Sequence, residues 1–252
     1  MSYTKNDFLN ELKNMGLVST DTIMIHSAFS TIKEIEGGAK TILDALCDFF
    51  SDGLVLIPSH TWATVYRTGD IFVKKDANSC VGYLTNCAIL DKRFIRSNHP
   101  THSVMAYGKN AKKYIKNDDY AKTPADPEGS FGKLKYGAKI LFIGTPLNRN
   151  TFIHSIEEEF NVPDRLSEVR TYYTEVENGN RIEFKLQSHS CSFSSDISMN
   201  YKKLLPKMLE KNIAKKVKLA DSESYLVDAK ACYEYVCELL KQDVHYFDRM
   251  EE

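Results

Sequence analysis

The sequence predicts an α/β fold in a single domain over residues 1–252, with a mostly parallel central sheet and one added antiparallel hairpin. Three observations lead to this class. Near the N-terminus, short apolar runs alternate with amphipathic segments, which is typical of parallel strands joined by helices. A third apolar run follows near the middle of the chain. Two alternating segments then flank a tight-turn sequence, which indicates a hairpin.

Each early element follows from its local pattern. Residues 4–16 should form a helix that ends at Gly16, a residue suited to the backbone conformation at a helix end. The segment DTIMIHSAF is then a buried strand, GGAKTILDALCDFF a helix with one apolar stripe, and GLVLIPSHTW a second strand. Because a helix joins these strands, they should be parallel with a right-handed crossover. The run AKILFIGTPL is a third buried strand.

The second half of the chain combines a hairpin with helices. Segment 167–187 has two alternating runs around ENGN, a sequence that fits a hairpin turn. Amphipathic helices are expected at about 198–217 and 227–241. The segment 58–103 is the least regular, and loops above a rigid sheet often carry binding residues.

Composition excludes several classes of protein. Lys plus Arg is 33 against 34 for Asp plus Glu, so the formal net charge of −1 gives no electrostatic motive for nucleic-acid binding. No apolar run approaches the roughly 20 residues of a membrane span, and the N-terminal segment lacks a secretory signal pattern. The six cysteines have no disulfide-scaffold or CxxC spacing, which indicates reduced thiols in the cytoplasm.

Three polar segments are candidates for binding. HSAFS precedes a glycine pair at a helix start, where free N–H groups can bind phosphate, although such a pair also suits a tight turn. RSNHPTHS combines an arginine, hydroxyls and two histidines, and it is either a binding loop or a polar surface loop. TPADPEGS supplies Asp126 and Glu128, which either line a site for a cation or face water.

The segment NTFIHSIEEE places His154 and Glu157 on one face of a helix that Thr151 can cap. The helix follows a buried strand, so the pair should lie near the carboxyl edge of the sheet. Three interpretations are open: a base with its carboxylate, two metal ligands completed by His189 or His99, or a solvated helix face. The HxxE spacing lacks the second histidine of HExxH that would favour zinc.

Six segments occur in order along the chain: IHSAFS, GGAKTILDAL, LIPSHTW, RSNHPTHSVMAYGKNA, PADPEGSFGKL and ILFIGTPLNRNTFIHSIEE. Their order and spacing resemble those of aminoglycoside 3-N-acetyltransferases over roughly residues 8–165, and more loosely beyond. The resemblance implies the α/β fold of that family, which differs from the common GNAT acetyltransferase fold. It also implies acetyl-coenzyme A (acetyl-CoA) as the donor, with no metal and no covalent acyl-enzyme.

The same resemblance assigns roles to residues. His154 falls on the family's catalytic base and Glu157 on the glutamate of its motif, while Asp196 is the best match to a carboxylate that orients the base. The coenzyme should lie along the first two polar segments. The residues expected to bind it are His26, Ser27, Ser30, Arg96, Ser97, His99 and Ser103.

The acceptor side departs from the family pattern. PSHTW stands where the family commonly has PTFT, so His60 and Trp62 should change one wall of the cleft. The residues expected to bind the acceptor are His60, Trp62, Tyr66, Asp126 and Glu128. An aromatic residue beside an arginine suits a sugar ring with an anionic group, and few carboxylates are available for a polycation.

The predicted function is acetyl-CoA-dependent N-acetylation of an aminoglycoside or related amino sugar, with His154 as the general base. Two other functions are left open: a zinc-dependent hydrolase using His154 and Glu157, and a non-catalytic carbohydrate-binding relative. The expected partner is a small-molecule amine rather than a nucleic acid or a membrane, and homodimerisation is left open.

Overall fold

The computed structural model describes residues 2–32 and 34–249, and within them the chain forms ten strands and seven α-helices. The strands are β1 Thr22–Ser27, β2 Leu54–Pro58, β3 Ile71–Val73, β4 Ile95–Arg96, β5 Val104–Gly108, β6 Lys139–Ile143, β7 Arg170–Glu175, β8 Arg181–Leu186, β9 Ala214–Leu219 and β10 Ser222–Asp228. The helices are α1 Lys5–Asn14, α2 Ala39–Phe49, α3 Tyr83–Leu90, α4 Ala111–Tyr114, α5 Thr151–Glu159, α6 Leu205–Glu210 and α7 Ala229–Gln242. Short 3₁₀ turns connect several of them.

Polar caps fix where the terminal helices begin. Thr4 and Asp7 form a capping box, in which each side chain accepts the backbone N–H of the other residue. At the exit of α1, Gly16 adopts a φ of 81°, the left-handed conformation expected there. The Asp228 side chain accepts the Ala231 N–H at the start of α7. The predicted first and last helices are therefore confirmed, with ends shifted by one or two residues.

A seven-stranded sheet of order β4-β5-β2-β1-β6-β10-β9 forms the centre of the described chain. Strand β1 pairs in parallel with β2 and with β6, as the β-α-β pattern predicts. The outer pairings β2–β5, β4–β5, β6–β10 and β9–β10 are antiparallel. The α/β class is confirmed, but parallel pairing is confined to three central strands, so the sheet is mixed rather than mostly parallel.

The predicted ENGN hairpin is confirmed as β7 and β8, which pair antiparallel. Its turn contains Asn178 and Gly179 at φ values of 61° and 72°, a conformation that these two residue types tolerate. Strand β3 adds in parallel to β7, and the three strands form a second, smaller sheet.

The predicted helix at 198–217 is wrong in its second half. A 3₁₀ turn over Ile197–Leu204 leads into α6, which ends at Glu210, and the following AKKVKL segment is the edge strand β9. Its lysines fit an amphipathic helix as well as a strand. In the fold they lie on the free edge of the sheet, where charge disfavours pairing with another chain. A tight turn with positive φ at Ala220 and Asp221 then returns the chain into β10.

Helices cover both faces of the central sheet. Ile23 and Ile25 of β1 pack with α1, α2 and α3 on one face, while Met24 packs with α5, α6 and α7 on the other. This alternation follows from the two-residue period of a strand. Among the described residues, no helix combines the length and apolar character needed to cross a bilayer.

Candidate active site

A cleft of about 850 Å³ opens at the carboxyl edge of the three parallel strands. Ser27 from the end of β1, Thr145 from the turn after β6 and Tyr172 of the small sheet line it. His60, which follows β2, and His154 of α5 also line it. Parallel pairing brings these strand ends together, so residues distant in sequence share one site.

His154 lies in the first turn of α5, with its side chain 13% exposed, and Glu157 lies behind it, only 1% exposed. The Nδ1 atom of His154 is 3.4 Å from Oε2 of Glu157, as the three-residue spacing predicts. In the described part of the chain, the other ring nitrogen, Nε2, makes no hydrogen bond, and the ring lines the cleft. The pair is therefore oriented with one ring nitrogen towards the protein and one towards the cleft.

Tyr201 joins the pair from the far side of the sequence. Its fully buried hydroxyl is 2.7 Å from His154 Nδ1 and also donates a hydrogen bond to Oε2 of Glu157. Arg165 donates from Nε to Oε1 of Glu157 at 2.7 Å, and from Nη2 to Asp248 at 2.5 Å. Both oxygens of the buried carboxylate are thus engaged by protein donors.

These contacts fix the charge states around the histidine. Burial by itself would raise the pKa of Glu157, but its hydrogen bond with His154 and the positive charge of Arg165 outweigh burial, and the net pKa lies below the ordinary value. The pKa of Tyr201 is raised well above its ordinary value, first by burial and then by the Glu157 charge. At neutral pH the group therefore contains a carboxylate and a protonated phenol.

A second histidine–glutamate pair lies against the first. The His189 ring stacks on the His154 ring with centroids 4.0 Å apart and planes 27° apart. His189 Nε2 is 2.9 Å from Oε1 of Glu158, which also accepts the Ala125 N–H. Burial, followed by the proximity of His154, lowers the pKa of His189. His189 is therefore held neutral above a buried carboxylate.

Two further histidines extend this group along the cleft. His102 lies 5.2 Å from His189 and 4.5 Å from His60, measured between ring centroids. Burial lowers the pKa of both His60 and His102 well below the ordinary value. Within the described residues, no group of three or more His, Cys, Asp or Glu side chains is placed to hold a metal ion.

Arginine–aspartate pairs and exposed aromatic rings complete the walls. Arg170 donates to Asp70 at 2.9 Å, and Arg149 lies 3.8 Å from Asp196. The large side chains of Trp62 and Tyr66 are 53% and 56% exposed, although both line the cleft. Exposed rings at a cleft mouth are available to stack on a planar or sugar ligand.

Several residues expected to bind the coenzyme lie in the scaffold instead. Arg96 is buried, and its guanidinium donates to the carbonyls of Ser59, Lys74 and Ala77 and to the Ser103 hydroxyl. Burial lowers its pKa to about 10. These bonds tie the irregular segment to the sheet and leave Arg96 outside the cleft.

The neighbours of Arg96 are similarly engaged. Ser97 accepts the Val104 N–H, Ser103 donates to the Ser59 carbonyl, and His99 bonds the Thr123 carbonyl while accepting backbone N–H groups on its other nitrogen. Ser30 is exposed in a 3₁₀ turn and does not line the cleft. Of the expected coenzyme residues, His26 and Ser27 lie in the cleft.

The expected acceptor residues divide in the same way. His60, Trp62 and Tyr66 line the cleft. Asp126 accepts the backbone N–H groups of Lys122 and Glu128 and so stabilises a turn, and neither Asp126 nor Glu128 lines the cleft. The Asp196 side chain lines the cleft and accepts the backbone N–H of Ser198. The carboxylate in contact with His154 is that of Glu157 instead.

Residues 24–241 match the sequence profile of the family described as aminoglycoside 3-N-acetyltransferase. The chain belongs to this family. The aminoglycoside N(3)-acetyltransferase VIII of Streptomyces fradiae is 24% identical over 182 residues, which cover 64% of this chain and 63% of that relative. The matched region thus spans just under two thirds of the relative's length.

Solved structures share the fold of this family member. AAC-IIIb in a binary complex with CoASH superposes with a TM-score of 0.82 at 20% identity, covering 96% of this chain and 98% of that one. AAC-VIa bound to sisomicin gives a TM-score of 0.76 at 18% identity, with coverage of 96% and 98%. The family and the fold type predicted from the motifs are confirmed.

Among the residues of the site that the sequence alone did not indicate are Tyr201, Arg165, Asp70 and Arg170. Tyr201 lies inside a segment predicted as an ordinary amphipathic helix, 44 positions from Glu157, and nothing local distinguishes it. Arg165 lies eight positions after Glu157, and a single buried arginine near a buried glutamate is the one signal that could have paired them.

Proposed function

We propose that this chain transfers an acetyl group from acetyl-CoA to the amine of an amino sugar, with His154 as general base. Family membership and the fold shared with a CoASH-bound and a sisomicin-bound acetyltransferase support this reaction. The observation that carries the proposal is the orientation of His154, whose Nδ1 is held by Tyr201 and Glu157 while Nε2 faces the cleft.

The hydrogen bonds support one tautomer of His154. Tyr201 has a single hydroxyl proton, which it donates to the Glu157 carboxylate. Its oxygen can then accept a proton only from His154, so Nδ1 of His154 carries the hydrogen. Nε2 is left with a free lone pair at the cleft. A base needs such a lone pair, and an imidazole can accept a proton near neutral pH.

Each group has a defined part in the transfer. His154 Nε2 takes a proton from the acceptor amine as the nitrogen attacks the thioester carbonyl carbon. The new N–C bond forms, the C–S bond breaks, and the same proton passes from His154 to the departing thiolate. Glu157 stabilises the transient imidazolium, with Tyr201 as the hydrogen-bonded link between them. Base catalysis of this kind contributes about 10²–10⁴-fold to the rate.

The cleft fits two small-molecule substrates. Its volume of about 850 Å³ lies in the range of ligand sites, and its walls combine hydroxyls with exposed aromatic rings. His26 and Ser27, at the end of β1, are the expected coenzyme contacts that lie in the cleft. All six cysteines are free thiols, which supports a cytoplasmic location where acetyl-CoA is available.

A thiol-release assay with the purified chain tests the reaction. Acetyl-CoA is mixed with a panel of amino sugars and aminoglycosides, free CoA is measured with a thiol reagent, and acetylated products are identified by mass spectrometry. We expect amine-dependent thiol release with one acetyl group added per CoA. Binding of acetyl-CoA without turnover of any amine would support the non-catalytic alternative instead. Activity that is abolished by chelators and needs no acetyl-CoA would support the zinc hydrolase.

A further inference from the structure

The charges of the cleft are balanced in pairs. Among the described residues that line it, the carboxylates are Asp70 and Asp196. Each faces an arginine that also lines the cleft, Arg170 for Asp70 and Arg149 for Asp196. The two aspartates and two arginines cancel, so the walls present no excess of negative charge.

The histidines do not change this balance. Burial lowers the pKa values of His26, His60, His102 and His189, so these rings are neutral at pH 7. Behind the rings, Arg165 is shared between Glu157 and Asp248, and Glu158 contacts neutral His189. None of these three carboxylates lines the cleft. Among the described residues, the carboxylates that can contact a substrate at the walls are therefore the two aspartates that are already paired with arginines.

A polycationic antibiotic is poorly matched to such a cleft. Each ammonium taken from water needs a carboxylate or several acceptors to replace its hydration, and nearby guanidinium groups repel it. Among the described residues, the cleft walls offer such a cation only Asp70 and Asp196, and each is already paired with an arginine. An anionic group, in contrast, can accept hydrogen bonds from the guanidinium N–H groups that the Arg170–Asp70 pair leaves unbonded.

We propose that the acceptor is an amino sugar with one amine and a phosphate or diphosphate substituent, and that Arg170 binds this anionic substituent. The proposal rests on the proposed function and names its acceptor class. Among the described residues, Arg170 uses Nη2 for Asp70, and its other N–H groups face no protein acceptor. They can form charge-assisted bonds to phosphate while the aspartate holds the guanidinium in place.

The surroundings of Arg170 favour the acceptor over the donor. Arg170 begins β7 of the small sheet and Asp70 directly precedes β3 of the same sheet, whereas His26 and Ser27, the expected coenzyme contacts in the cleft, belong to β1 of the central sheet. Tyr66 and Trp62 also line the cleft, with rings exposed for stacking on a sugar or a base.

The test compares acceptors that differ in charge. Glucosamine, glucosamine 1-phosphate, UDP-glucosamine and sisomicin are assayed at saturating acetyl-CoA. We expect at least one phosphorylated sugar to exceed both glucosamine and sisomicin in kcat/KM by about tenfold or more, the effect of one charge-assisted hydrogen bond. Sisomicin turned over about tenfold better than every phosphorylated sugar would overturn the proposal and leave the acetyltransferase function intact.

A charge reversal assigns the position of the anionic group. Arg170→Glu should lower kcat/KM for the phosphorylated sugar by about tenfold or more and leave the KM for acetyl-CoA within about twofold. A raised KM for acetyl-CoA with unchanged acceptor kinetics would overturn the assignment of Arg170 to the acceptor. Calorimetry separates the two proposals: a phosphorylated sugar that binds to the wild-type chain but is not acetylated supports the acceptor class and contradicts the function.

Discussion

Two histidine–glutamate pairs lie side by side in the cleft, and they differ in which ring nitrogen the protein holds. His154 is held through Nδ1, by Tyr201 at 2.7 Å and Glu157 at 3.4 Å, and its Nε2 faces the cleft. His189 is held through Nε2, which is 2.9 Å from Glu158. The same two residue types therefore play different parts. The His154 ring can accept a proton from the cleft, and the His189 ring packs against the His154 ring.

The carboxylates of the two pairs differ as well. Glu157 is engaged on both oxygens, by Arg165 and by Tyr201, and its pKa is lowered. Glu158 has one oxygen engaged, while its Oε2 is buried without a hydrogen-bond partner in the described chain. Composition and spacing do not distinguish a base from a supporting histidine. The distinction comes from the partners that the fold brings to each ring.

The largest expected effect comes from the first pair. His154→Gln should lower kcat by about 10²–10⁴-fold, because glutamine cannot accept the proton that the base takes from the amine. Coenzyme affinity, measured by calorimetry, should be unchanged, and thermal unfolding should confirm an intact fold. Turnover near that of the wild-type chain would remove His154 from the mechanism.

Removal of the Tyr201 hydroxyl should have the next largest effect. Tyr201→Phe should lower kcat by about tenfold to a hundredfold, since Nδ1 loses its nearest partner and Glu157 loses a donor. The KM for acetyl-CoA should not change, which separates lost positioning from a damaged binding site.

Tyr233 provides a matched control for this substitution. Its hydroxyl donates to Glu159 at 2.7 Å, so it is also a tyrosine bonded to a carboxylate of α5, but it lies outside the cleft. Tyr233→Phe should leave kcat within about twofold. Equal losses in the two variants would assign Tyr201 a structural role only.

His189→Gln makes the same change of histidine to glutamine in the ring that stacks on His154. Glutamine keeps an N–H donor for Glu158, so kcat should fall by less than about tenfold, the range of one neutral hydrogen bond and lost packing. A loss as large as that of His154→Gln would show that the two rings share the proton transfer, and the comparison between the pairs would fail.

The smallest effect is expected at Asp196. Its carboxylate accepts from Ser198 at the start of a 3₁₀ turn and is half-exposed beside Arg149. Asp196→Asn keeps an acceptor at this cap, so kcat should change by no more than about twofold. A loss of a hundredfold in kcat would restore the role that the family resemblance assigns to Asp196, which orients the base.

The sequence predicts the features that depend on neighbours along the chain. The His154–Glu157 contact follows from helical spacing, and the position at a strand end follows from one buried run. Tyr201 could not be predicted because its partners are more than 40 positions away and its own segment has no distinguishing pattern. Arg96 was expected in the site because it lies among hydroxyls and histidines, but the irregular segment requires a buried donor for its carbonyls.

The β9–β10 hairpin shows the same limit for the fold. Three lysines in AKKVKL satisfy the polar face of a helix and the exposed edge of a sheet equally well. The pairing of β10 with β6 decides between them, and that contact joins residues 83 to 89 positions apart. Local pattern therefore predicted the central strands and missed the edge.

The two stacked rings differ in which nitrogen carries the hydrogen, and nitrogen NMR of the histidine side chains measures that position directly. Long-range proton–nitrogen spectra of the uniformly ¹⁵N-labelled chain at pH 7.5, assigned with His154→Gln and His189→Gln, report the tautomer of each ring. We expect opposite tautomers, with the hydrogen on Nδ1 of His154 and on Nε2 of His189. A His154 ring that carries its hydrogen on Nε2 would contradict the role of His154 as the base, since no lone pair would then face the cleft.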